Sequence, residues 1–99
     1  MAAIRDIDTS KLIQAGLRAG ATFLALFGSS ARGDSLPGSD VDLLVRFGEA
    51  KSLLDLASIE NDLSESIGRK VDLVTEGAVS PALREAIAPD LVVLLDHEA

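Results

Sequence analysis

The sequence predicts an α/β (α+β) fold, a small mixed β-sheet of about four strands with helices packed on it. Strand-sized apolar runs at 22–27, 41–47, 70–75 and 91–96 alternate with stretches of helical apolar spacing. The connection from the second run to the third is long enough for a right-handed crossover, which makes those two strands parallel. A chain of 99 residues, 47% hydrophobic and 25% charged, is an ordinary globular composition. It is read as a single domain over residues 1–99, able to bury one core but too small for a second lobe.

Each element has a local reason. Thr9 or Ser10 is predicted to cap a helix with Leu12, Ile13 and Leu17 on its apolar face, weakened by Gly16 and ending near Gly20. Residues 22–27 form a buried first strand stopped by Gly28. Residues 33–38 read as a loop, with Pro37-Gly38 suited to the centre of a type II turn. Val41–Phe47 is the second strand. Ser52 and Asp55 form a capping box with Asp in place of Glu, and Leu53, Leu56, Ile59, Leu63 and Ile67 trace a helical face closed by Gly68. After the strand at 70–75, Ser80-Pro81 supplies an N-cap and a first-position proline for a short helix stopped by Pro89. The last strand is 91–96.

Composition narrows the function. No apolar run is long enough to span a bilayer, and Arg5, Asp6 and Asp8 stand where a signal peptide would be apolar, so the chain is read as cytoplasmic. Without cysteine there are no disulfides or thiolate metal sites. A net charge of −7 disfavours a long phosphate polymer as partner, whereas a nucleotide arriving with its own Mg²⁺ remains compatible. With three Phe and neither Trp nor Tyr, the chain offers no stacking platform and no tyrosine hydroxyl of its own to accept a group.

Three separated segments carry the chemistry. Asp40 and Asp42 lie two apart at the second strand, where positions i and i+2 share a face roughly 6.6 Å apart. Asp72, near the start of the parallel third strand, falls at the same rim. An antiparallel first strand delivers Gly28-Ser29 there from its end. Carboxylates are the hard oxygen ligands that Mg²⁺ prefers, and two such ions about 3.5–4 Å apart serve displacement of pyrophosphate from a nucleotide by a hydroxyl. Asp40 and Asp42 are read as the metal-bridging pair. Asp72 completes the site nearest the acceptor and can take the acceptor's proton. Gly28 lets backbone approach a phosphate, the Ser29 hydroxyl can donate to it, and Arg32 either meets the same triphosphate, pairs with Asp34 or balances the carboxylate cluster. His97, the single histidine, is read as tail surface. Taken singly, Gly-Ser is a turn and Asp-x-Asp a solvent-facing edge.

Residues 26–33, 39–45 and 70–74 resemble the three signatures of the minimal nucleotidyltransferases, the MNT group of the DNA polymerase β superfamily. The likeness runs from about Phe23 to Asp96. It implies the nucleotidyltransferase fold and a Mg²⁺-dependent enzyme that uses ATP to transfer AMP. Many such proteins are antitoxins that silence a HEPN-domain ribonuclease toxin by adding AMP to a tyrosine near its active site. Two rival readings stand beside this one: an antitoxin acting by occlusion, and transfer to a small molecule such as an aminoglycoside with help from a partner subunit.

Overall fold

The leucine- and valine-rich runs become four strands in a computed structural model that describes residues 7–28 and 40–97. They are β1 (Ala21–Phe27), β2 (Val41–Phe47), β3 (Val71–Thr75) and β4 (Val92–Asp96), in the sheet order β3-β2-β1-β4. β1 runs antiparallel to β2 and β4, and β2 runs parallel to β3, as the crossover requires. The crossover contains helix α2 (Leu53–Ile67), while α1 (Thr9–Arg18) precedes β1 and α3 (Pro81–Ile87) precedes β4. The predicted loop at 33–38 lies outside the described residues.

One face of the sheet makes the core. Leu24 and Leu26 of β1, Val41, Leu43 and Val45 of β2 and Val71 of β3 pack with Leu12 and Ala15 of α1 and Leu63 of α2. A register shift in β1 between Ala21 and Phe23 lets Ala21 and Leu24, three apart, both enter this core. The glycine that weakens α1 has a packing reason. A Cβ on Gly16 would stand 2.5 Å from Leu24 Cδ1, so glycine lets the helix lie close on β1. Leu17, expected on the buried face, is instead 48% exposed, and Ala15 and Gly16 take its place.

The helix starts are set by side chains. Asp8, rather than Thr9 or Ser10, caps α1, its carboxylate accepting from the Lys11 N–H at 3.2 Å. The capping box on α2 is present. Asp55 N–H donates to Ser52 Oγ and Ser52 N–H to Asp55 Oδ2, both at 3.1 Å, and Gly68 closes the helix at φ +70°. Ser52→Ala is expected to lower stability by about 1 kcal/mol, read from urea unfolding, because a helix-end donor loses its acceptor. The apolar stripe does not pack along its whole length: Leu53 and its neighbour Leu54 are each 84% exposed, and burial begins with Leu56 a turn further in. Ser80 caps α3 by accepting from Leu83 N–H at 3.2 Å, and Pro89 falls in the 3-10 turn Ala88–Asp90 that follows the helix. His97 is exposed, yet its N–H donates to the Thr22 carbonyl at 2.7 Å, so its backbone is tied to β1.

β3 is an edge strand. Its outward N–H groups at Val71 and Leu73 donate to Ser64 Oγ and Glu60 Oε2 of α2, each at 2.8 Å.

Candidate active site

Strand alternation decides which side chains are available for chemistry. Val41, Leu43 and Val45 are buried in the core, so Asp42, Leu44 and Arg46 face the other side of β2. Asp42 is in register with Asp72 on one side and with Phe27 on the other. Partners on adjacent strands share a face about 4.8 Å apart. The start of β2, the start of β3 and the end of β1 therefore form one rim. Gly28 follows Phe27 at that rim, and Asp40 immediately precedes β2, exposed, while Asp42 and Asp72 are half-buried. Gly28, Asp40, Asp42 and Asp72 are thus brought together. Ser29 and Arg32 lie outside the described residues.

Gly28 is bound to this arrangement by geometry. Its φ is +69°, and a Cβ there would stand 2.6 Å from Asp42 Oδ2. The Asp42 carboxylate lies against the Gly28 backbone, a close approach that no larger residue permits.

Electrostatics mark the same carboxylate. Burial, then the negative charges of Asp72 and Asp40, push the Asp42 carboxyl above its ordinary value of 3.8. The folded protein therefore binds this proton more tightly than the unfolded chain does. Stability is lost as pH rises from the ordinary carboxylate range through the raised value. A divalent cation would relieve that repulsion, and the hard oxygen donors fit Mg²⁺. Among the described residues, no three acidic, histidine or cysteine side chains converge into a preformed metal cage.

A second charged cluster occupies the far end of this face, roughly 13 Å from Asp42 at four strand residues. Arg46 Nη1 and Arg84 Nη2 approach the Glu76 carboxylate at 3.2 and 3.0 Å, and the Arg46 guanidinium lies 5.2 Å from the centre of the Phe23 ring. Burial works to raise the Glu76 pKa, but the hydrogen bonds and charges of the two arginines outweigh it and hold the group below its usual range. This cluster ties α3 to the sheet.

Residues 12–94 match the nucleotidyltransferase domain. The chain belongs to the nucleotidyltransferase domain family. A Methanocaldococcus jannaschii relative, MJ0435, named as a protein adenylyltransferase, is 40% identical over 85 residues, which are 86% of this chain and 91% of that protein. A solved structure described as a minimal nucleotidyltransferase is 37% identical with a TM-score of 0.74, covering 85% of this chain and 86% of its own. A chain from the complex of tri-AMPylated Shewanella oneidensis HEPN toxin with MNT antitoxin has the same fold. Its TM-score is 0.70 at 19% identity, over 89% of this chain and 69% of that one. Within this nucleotidyltransferase fold, none of the described helices is long and apolar enough to cross a membrane.

Glu60 and Ser64, which bond the strand carrying Asp72, are not singled out by the sequence motifs. Their i, i+4 spacing beside Leu63 was the available signal, since it places two polar side chains on one helix flank next to the buried stripe.

Proposed function

We propose that this protein transfers AMP from ATP to a hydroxyl, a tyrosine, on a partner protein in the cytoplasm. The partner is a HEPN-domain ribonuclease toxin and this chain its antitoxin, acting as one catalytic domain over residues 1–99. The observation that carries the proposal is the register of Asp42, opposite Asp72 on β3 and opposite Phe27 beside Gly28 on β1. The name of the M. jannaschii relative and the tri-AMPylated toxin of the S. oneidensis complex support the choice of group and acceptor.

The acceptor oxygen attacks the α-phosphorus, the bond to the bridging oxygen breaks, and pyrophosphate leaves. Asp72 takes the proton from the acceptor hydroxyl. Asp40, Asp42 and Asp72 would hold the two Mg²⁺ ions. When bound, the ions supply positive charge against the phosphates. Gly28 and Ser29 seat the phosphate chain, and Arg32 donates to it.

These 99 residues contain no tyrosine, in keeping with an acceptor on another molecule. With α-labelled ATP and Mg²⁺, label is expected on a tyrosine of the HEPN partner and scarcely at all when this protein is alone. Rapid partner-free transfer onto this chain or onto water would overturn the proposal.

A further inference from the structure

Among the described residues, Asp72 stands on the outermost strand of the sheet, with β2 on one side of it only. The charge of Asp72 is one of those acting on Asp42 in the neighbouring strand, and Asp40 adds to the same negative rim. Register partners on adjacent strands stand about 4.8 Å apart, and two carboxylates so placed repel. Pairing with β2 resists that repulsion from one side alone.

The other side is held by α2. Val71 N–H donates to Ser64 Oγ and Leu73 N–H to Glu60 Oε2, each at 2.8 Å, so the residues immediately before and after Asp72 are both anchored. The periodicities match. Four helix residues rise about 6 Å and two strand residues about 6.6 Å, which lets an i, i+4 pair on a helix meet successive outward N–H groups of a strand. Ser64 is itself oriented, its hydroxyl donating to the Glu60 carbonyl at 2.8 Å.

We infer that Glu60 and Ser64 are positioning residues for Asp72, fixing the edge strand so that its carboxylate reaches the cation shared with Asp42. The inference rests on the proposed role of Asp72 as a metal-holding residue. Neither Glu60 nor Ser64 touches the reacting atoms; both act through the backbone on either side of Asp72.

The test uses Mn²⁺ as the probe, titrated into the protein with a non-hydrolysable ATP analogue and followed by the EPR signal of free Mn²⁺. Glu60→Ala is expected to weaken Mn²⁺ binding about tenfold or more, the loss typical when a group supporting a metal ligand is removed. Glu60→Gln keeps an oxygen acceptor for the Leu73 amide and is expected to restore the wild-type affinity. In the Asp72→Asn background, Glu60→Ala is expected to cause no further loss, because the residue it acts through is already disabled. Amide exchange at Leu73 should quicken in Glu60→Ala and not in Glu60→Gln. Wild-type Mn²⁺ affinity in folded Glu60→Ala, alongside clear loss in Asp72→Asn, would overturn the inference and leave the assignment of Asp72 standing. Unchanged affinity in Asp72→Asn would overturn both. If Glu60→Ala does not fold, Ser64→Ala decides by the same criteria through the Val71 amide.

Discussion

Asp42→Asn is expected to reduce labelled AMP incorporation by orders of magnitude while raising the unfolding temperature at neutral pH. The substitution keeps the shape of the side chain and removes the charge that the proposed metal-holding role requires. Metal-based charge stabilisation is worth several kcal/mol, and each ~1.4 kcal/mol is tenfold in rate. The stability gain has the opposite sign for the same reason. Asp42 has its proton affinity raised by burial and by the charges of Asp72 and Asp40, so ionising it costs the folded state stability. The advantage of Asn should be absent below the ordinary carboxylate value of 3.8 and should grow as pH rises through the raised value. Thermal melts across pH, paired with the labelling assay, read both effects. A folded Asp42→Asn protein that neutralises its partner fully without AMP transfer would replace catalysis with occlusion.

Gly28→Ala is expected to lower transfer about a hundredfold, the order of loss that follows a misplacement of ~1 Å at a reacting centre. Two costs coincide at this residue. The positive φ costs a residue with a Cβ about 1–2 kcal/mol, and the new methyl would have to displace the Asp42 carboxylate that lies 2.6 Å from its position. Gly68→Ala separates the two. Gly68 has nearly the same φ, +70°, but nothing lies within 4 Å of its added Cβ. It should lose only the φ-dependent part of that stability in urea unfolding and keep its transfer rate. Equal rates in both variants would show that Gly28 matters for backbone strain and not for the placement of Asp42.

The rim could be read from the sequence because two simple rules were enough to build it. Strand alternation puts Asp42 on the face opposite Val41 and Leu43, and a crossover of helical length makes β3 parallel, which carries Asp72 to the same end. The contact of Gly28 with Asp42 was not readable, since it depends on a backbone angle and a side-chain rotamer rather than on spacing. The first helix shows a different limit. Asp8, Thr9 and Ser10 are three consecutive cap-forming residues, and only geometry chooses among them. Leu17 and Leu53 are exposed despite sitting on regular apolar stripes, because periodicity gives the direction of a side chain and not where its neighbours end. The support from Glu60 and Ser64 required knowing both that β3 is an edge and that α2 runs beside it.

The two margins of the sheet are chemically unlike, and this gives the molecule a preferred direction of growth. Along β3 the outward amides of Val71 and Leu73 are occupied by side chains of α2, so a strand from another chain would have to displace them. Along β4 the run Val92-Val93-Leu94-Leu95 carries no lysine, proline or charge, the features that usually discourage edge-to-edge pairing, the strand's one charge being Asp96 at its end, and Val93 is 52% exposed. Aggregation at high concentration should therefore propagate from the β4 side. A strand added there lies beyond β4, with β4 and β1 between it and the strands that carry Asp42 and Asp72, so early aggregates formed this way would leave both carboxylates accessible.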